Sequence, residues 1–198
     1  CTSSSGVKMC VRQGVQEIYH APHADTEARD MIESAKDRIF VAPAAGLPIS
    51  MLEKHRDLGL NWSAQKIASM ESEIETETRC MRDLHRRGVR VLPGGDYGAF
   101  VTNPMGDNAR DLEHFVNLFG FSPMEAIVAA TRQGAELMRM EHETGQIRPG
   151  FMADLLVLDG NPLDDIRLLQ DQARILAVMK GGRFAKRNAS LSQQRRGS

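Results

Sequence analysis

Apolar residues fall into two alternating textures along this chain: short unbroken runs, and longer stretches at helical spacing. An amphipathic segment from Ser4 stops at Gly14, and "VQEIYHA" follows as a strand-like run ending on His20. Next, "DTEARDMIESAKDR" sets Ala28, Met31, Ile32 and Ala35 on one stripe, with Asp25 or Thr26 available as its cap. "IFVAP" is a second short strand, broken by Pro43. From Leu47 to Arg87 the spacing is helical, with Ile67, Met70, Ile74, Met81 and Leu84 on a common face and Gly88 as the stop. "VRVLP" is a third strand, and the amphipathic "NARDLEHFVNLFG" follows it. "SPMEAIVAATRQGAELM" opens on Ser122 as N-cap, Pro123 at the first helical position and Glu125 at the third.

Strand, helix, strand, helices, strand, helices is the order of a parallel sheet covered by helices, so the expected class is α/β. After Gly145 the texture changes to turn-rich strand pieces, with Gly181-Gly182 as a natural hairpin turn. The expected organisation is an α/β part over residues 1–145, a smaller β unit over 146–186 and a basic tail over 187–198. The tail has few apolar anchors and is expected to be solvated and disordered.

Composition narrows the partners. The 198 residues are 41% hydrophobic and 26% charged, with a net charge of −1, as in ordinary soluble globular proteins. No global basic excess points to nucleic acid, and no apolar run approaches the roughly 20 residues that cross a bilayer. Neither a nucleic acid nor a membrane is therefore expected as a partner. Cys1, Cys10 and Cys80 have neither CxxC spacing nor an even count, which suggests reduced structural thiols and a cytoplasmic location. The opening "CTSSSGVKMC" reads like the inside of a protein, so the native chain is expected to continue upstream of Cys1.

Candidate chemistry sits at two strand ends. In "GVRVLPGGDYG" a strand runs into Pro-Gly-Gly and delivers Asp96, while His20 ends the first strand. Alone, Gly-Gly-Asp is commonly a turn and a strand-end His a hydrogen-bonded structural residue. In a parallel α/β barrel, however, strand C-terminal ends face the active site. A His and an Asp meeting there form a donor pair suited to zinc or another divalent ion. Tyr97 and Asn103, just beyond Asp96, either line a substrate pocket or close the turn. His20 and His23 make H-x-x-H rather than the H-x-H that places two imidazoles on one strand face, so His23 reads as a loop residue. His55, His85, His114 and His142 lie among charged neighbours and read as solvated.

Taken together, these segments resemble the C-terminal half of metal-dependent amidohydrolases of the imidazolonepropionase-like or prolidase-like kind, from about Gly14 to Ala185. "GVQEIYHA", "RIFVAP" and "GVRVLPGGDYG" are similar to strands six, seven and eight of that family. "FSPMEAIVAATRQGAELM", "ETGQIRPGFMADLLVLDGNPLDDI" and "ILAVMKGGRFAK" resemble its last barrel helices and the return into a small β-sandwich. The resemblance implies a partial (β/α)8 TIM-type barrel, its last three or so strand–helix units, plus strands of that sandwich. It implies that His20 binds the second metal, and that Asp96 binds the first metal and carries the proton. The implied activity is hydrolysis of a carbon–nitrogen bond in a small amide-type substrate by metal-activated water, with one or two ions of zinc.

The family's H-x-H pair, its strand-four Lys and its strand-five His have no match here, and two ligands under-coordinate zinc. The chain alone is therefore expected to be inactive, and the complete polypeptide active. The alternative is a non-catalytic fragment or pseudoenzyme that acts as an interaction module. An open half-barrel also exposes a strand edge that invites pairing, so a homo-oligomer is among the expected partners. A nucleotide-binding reading of "PGGDYG" fails, because it lacks both G-x-G-x-x-G and the P-loop pattern.

Overall fold

The computed structural model describes residues 1–98 and 101–188, which form an α/β chain in two compact units that divide between Ser122 and Pro123. The units divide just before the helix at Pro123, whereas the sequence texture changes at Gly145. Of the tail expected to be disordered over 187–198, Arg187 ends a strand and Asn188 N donates to Leu176 O, and residues from 189 on lie outside the described residues.

In the first unit β1 (Glu17–Tyr19), β2 (Phe40–Ala42) and β3 (Arg90–Val91) form a parallel sheet in that order. Ile18 pairs with Val41, and Val41 with Val91. All three are at most 1% exposed, as expected where helices cover a parallel sheet. The helices are α1 (Ser4–Arg12), α2 (Thr26–Ser34), α3 (Gly46–Lys54), α4 (Ala64–Arg86) and α5 (Arg110–Asn117). The α2 cap is Asp25, whose carboxylate accepts the Ala28 N–H at 2.8 Å; Ser3 and Ser63 cap α1 and α4 in the same way. The apolar stripes deliver Val7 and Val11 from α1, Ala28 and Ile32 from α2, and Cys80, Met81 and Leu84 from α4 to the core. The helices expected over Leu47–Arg87 are α3 and α4, separated by a non-helical segment, and α4 carries the stripe from Ile67 to Leu84.

The outer edge of β1 is also in use. The Cys1 amino group donates to Tyr19 O at 2.8 Å, and Ala21 N donates to Cys1 O at 2.9 Å. One residue thus bonds to the neighbours on both sides of His20, as a member of an adjacent parallel strand does.

In the second unit α6 (Pro123–Val128) passes through a π-helical turn (Ala129–Gln133) into α7 (Gly134–Leu137). Thr131 Oγ1 donates to Ile127 O at 2.7 Å within that turn. Strands β4 (Leu155–Leu158), β5 (Ile175–Lys180) and β6 (Arg183–Arg187) form an antiparallel sheet. Gly181 and Gly182, at φ 54° and 77°, make the two-residue hairpin loop between β5 and β6.

Candidate functional site

Both sequence-predicted strand-end residues stand at the same end of the parallel sheet. His20 N donates to Ala42 O at 2.9 Å, extending the ladder one step past β1, and Leu92 N does the same to Val41 O at 2.8 Å past β3. Each chain then breaks away sharply. His20 and Ala21 have φ 75° and 61°, and Asp96 has φ 55°. These are left-handed conformations, which L-residues other than glycine adopt rarely; His and Asp tolerate them better than most. Such strain concentrates at functional sites.

His20 and Asp96 line one cavity of about 190 Å3. Its walls come from the segment after β2 (Ala44, Leu47, Pro48) and from α4 (Ile74, Glu77). A larger cleft of about 800 Å3 lies along α2 and α4 and shares Pro22 with the smaller cavity. Its arginines are largely engaged: Arg29, Arg86 and Arg87 pair with Asp83, and Arg82 donates to Leu118 O. That cleft is an ion-pair network, and the smaller cavity is the candidate site.

The loop carrying Asp96 is held from two sides. On one side Asp111 of α5, 5% exposed, accepts the Tyr97 hydroxyl at 3.0 Å and backbone hydrogen bonds from Gly94 and Gly95. On the other Asn103, 1% exposed, donates from Nδ2 to Gly95 O at 2.7 Å, and its carbonyl accepts Gly98 N at 2.7 Å. Ser50 Oγ lies 3.3 Å from Asn103 Oδ1 and accepts Arg110 Nη1 at 3.2 Å. The glycines follow from this packing. A Cβ on Gly95 would meet the Asp111 carboxylate and the Tyr97 ring, and a Cβ on Gly46 would stand 2.9 Å from Gly95 O. Tyr97 and Asn103 both direct polar atoms into the loop's own scaffold.

Two carboxyls here were not picked out from the sequence. Glu77, 7% exposed, is pushed up to about 7 by burial, with Glu73, Asp111 and Asp96 adding to the shift and a backbone hydrogen bond from Ala44 opposing it. Asp111 is pushed up to about 6 by burial, against the hydrogen bonds from Tyr97, Gly94 and Gly95. Burial and the neighbouring Asp111 hold the Tyr97 phenol well above its ordinary range. A signal for Glu77 was available: it falls in the apolar stripe of α4, between Ile74 and Met81.

His55, His85 and His114 correct the expectation of solvated faces. His55 and His114 are each 7% exposed. His55 stacks on Trp62 at 5.0 Å, and its Nδ1 lies 2.7 Å from Leu52 O. His85 stacks on Phe121 at 3.6 Å. The flat ring face of imidazole packs on aromatic rings, which charged sequence neighbours do not reveal. His142 is exposed, and His23 stands at the surface 3.1 Å from Glu73 Oε2.

Among the described residues no group of three or more His, Cys, Asp and Glu is placed to hold a metal ion together. His20 and Asp96 bring one imidazole and one carboxylate to a common cavity, a donor pair whose chemistry suits a borderline or hard divalent ion. No helix among the described residues is long and apolar enough to cross a membrane.

Comparison with known proteins gives a consistent picture. A sequence profile described as "Amidohydrolase family" matches residues 2–185. Ochratoxinase of Aspergillus niger is 27% identical over 183 residues, 92% of this chain and 36% of that protein. Imidazolonepropionase of Rubrobacter xylanophilus is 33% identical over 98 residues, 46% of this chain and 24% of that protein. A prolidase solved in complex with N-methylphosphonate-L-proline superposes with a TM-score of 0.79 at 25% identity, over 95% of this chain and 44% of the other. The ochratoxinase crystal structure superposes at 0.78 and 25% identity, over 95% and 41%. The chain spans about a third of the curated relative it matches along most of its length, and less than half of each of these solved structures.

Proposed function

The chain belongs to the amidohydrolase family, and from that premise we propose that it is the C-terminal part of a (β/α)8-barrel hydrolase cleaving carbon–nitrogen bonds of small amide-type substrates. Support for the barrel comes from the parallel order β1-β2-β3 and from Cys1, which bonds to β1 as a parallel neighbour. The sandwich proposal rests on the antiparallel β4–β6 sheet. The cavity of about 190 Å3 is smaller than ordinary ligand pockets of about 300–1,000 Å3, in keeping with a site completed by further strand-end loops.

His20 and Asp96 would hold a divalent metal, zinc by donor type, one or two ions in the complete protein. When bound, such an ion lowers the pKa of its water towards about 7 and polarises the substrate carbonyl. His20 contributes a ring-nitrogen lone pair. The Asp96 carboxylate accepts the proton of the attacking water and returns it to the departing nitrogen, which otherwise leaves poorly. Tyr97 and Asn103, proposed at the sequence level for substrate contact, act in this reading at the loop that presents Asp96. The unpaired thiols Cys1, Cys10 and Cys80 support a reducing compartment such as the cytoplasm.

One observation carries the proposal: His20 and Asp96, in the segments that follow β1 and β3, both take left-handed backbones and line one cavity. A second reading, a non-catalytic chain acting as an interaction module or pairing with its own copy, draws on the missing third donor among the described residues. The complete polypeptide, assayed with N-acyl amino acids and cyclic amides before and after chelator treatment, separates the two. The hydrolase reading expects turnover that disappears with chelator and returns with zinc. Full activity without metal contradicts the metal assignment, and no turnover of any amide favours the interaction module.

A further inference from the structure

We propose that Asp111 is a positioning residue that fixes Asp96 at its strand end. The inference rests on the reading of Asp96 given above. Three observations converge on it. The Asp111 carboxylate is 5% exposed on α5, a different element from the one it serves, so this contact is long-range. Donors from three of the four consecutive loop positions 94–97, Gly94, Gly95 and Tyr97, go to it, and Asp96 is the residue enclosed between them. Finally, the backbone has been cleared to admit it: added Cβ atoms at Gly95 and Gly46 would both meet Asp111 Oδ1, the latter at 3.1 Å.

A carboxylate is the right group for this place. It accepts only, with about four lone-pair sites on two oxygens, and so can receive two N–H groups and a phenol at once. An amide would turn an NH2 towards a donor. Asn103 grips the opposite side of the same loop through Gly95 O and Gly98 N. With both sides held, the left-handed φ of 55° at Asp96 is over-determined by its surroundings, which is the condition under which such strain persists. Hydrogen-bonding partners behind a metal ligand typically alter metal affinity or activity by about 10- to 100-fold when removed.

The test uses the complete polypeptide and reads zinc affinity by chelator competition, kcat and KM separately, and the thermal midpoint. Three variants are compared: Asp111→Asn, Tyr97→Phe and Asp96→Asn. Expected for Asp111→Asn is a roughly 10- to 100-fold loss in zinc affinity and in kcat with KM nearly unchanged. Tyr97→Phe, which deletes one donor oxygen and keeps the ring, moves the same quantities in the same direction by a smaller factor. It keeps the test open should Asp111→Asn not fold. If both variants only lower the midpoint, with zinc affinity and kcat as in the parent, Asp111 is structural filler and the proposal is overturned. Should Asp96→Asn itself leave zinc affinity and kcat untouched, the fault lies instead in the assignment of Asp96.

Discussion

His20 and Asp96 line one cavity from the segments that follow β1 and β3, at opposite edges of the three-stranded parallel sheet, each at a left-handed backbone position, φ 75° and 55°. Nothing in a turn requires that coincidence. Two strained non-glycine residues, both of metal-ligating type, meeting at strand C-terminal ends is the pattern of a working site. From it follow predictions for the complete polypeptide and for the chain's stability.

Asp96→Asn is expected to lower kcat by about 10²–10⁴, the range for loss of a general acid–base group. The fold should be kept, because Asn has the same shape and is at home in the left-handed region. Steady-state kinetics beside a thermal melt check this. An unchanged kcat sinks the assignment.

His20→Ala removes a nitrogen donor and leaves the cavity otherwise intact. Metal content per protein should fall along with the rate, as read by elemental analysis after gel filtration. Normal occupancy in that variant counts against His20 as a ligand.

Glu77 gives a pH prediction for the metal-free chain. Its carboxyl ionises near 4.5 when unfolded and is pushed up to about 7 in the fold. The fold therefore favours the protonated form. This contribution to stability is complete below about pH 4.5, declines as pH rises, and is gone above about pH 7. Glu77→Gln keeps an acceptor for Ala44 N–H and carries no charge. Relative to the parent it should gain stability at pH 8, on the order of 2 kcal/mol, and show no gain at pH 4. Urea unfolding with chelator present at the two pH values measures both. An equal effect at pH 4 and pH 8 removes the electrostatic explanation.

Gly95→Ala places a methyl group against the Asp111 carboxylate and the Tyr97 ring. Both neighbours are held by hydrogen bonds, so the crowding should cost about 1–3 kcal/mol. The corresponding change at Gly59, where an added Cβ meets no atom within 4 Å, carries only the cost of its φ of 68°. Denaturant midpoints of the two variants are expected to separate in that order.

How much of this was legible in the sequence depends on distance along the chain. The strands showed as short apolar runs, the α2 cap as Asp25, and the β5–β6 hairpin as Gly181-Gly182, because each is decided by residues within a few positions. The bounds of the break between α3 and α4 were hidden, since helical spacing continues on both sides of it. The burial of His55 and His114 and the grip of Asp111 on Gly94, Gly95 and Tyr97 were hidden for another reason: they are contacts between elements. Asp96 could be chosen from its glycines, but Gly95 makes room for Asp111 and Tyr97, while Gly94 faces Ala42 and Gly98 faces Met105. Glu77 stood in plain view as an acid in an apolar stripe, and that mismatch is the signal worth reading.

The most direct test of a shared site is metal-edge anomalous diffraction from crystals of the complete polypeptide grown with zinc. The account predicts a peak about 2.0–2.2 Å from a His20 ring nitrogen or an Asp96 carboxylate oxygen, with both residues contributing to one metal centre. A zinc peak held by other residues, with His20 and Asp96 both out of its coordination, would contradict it.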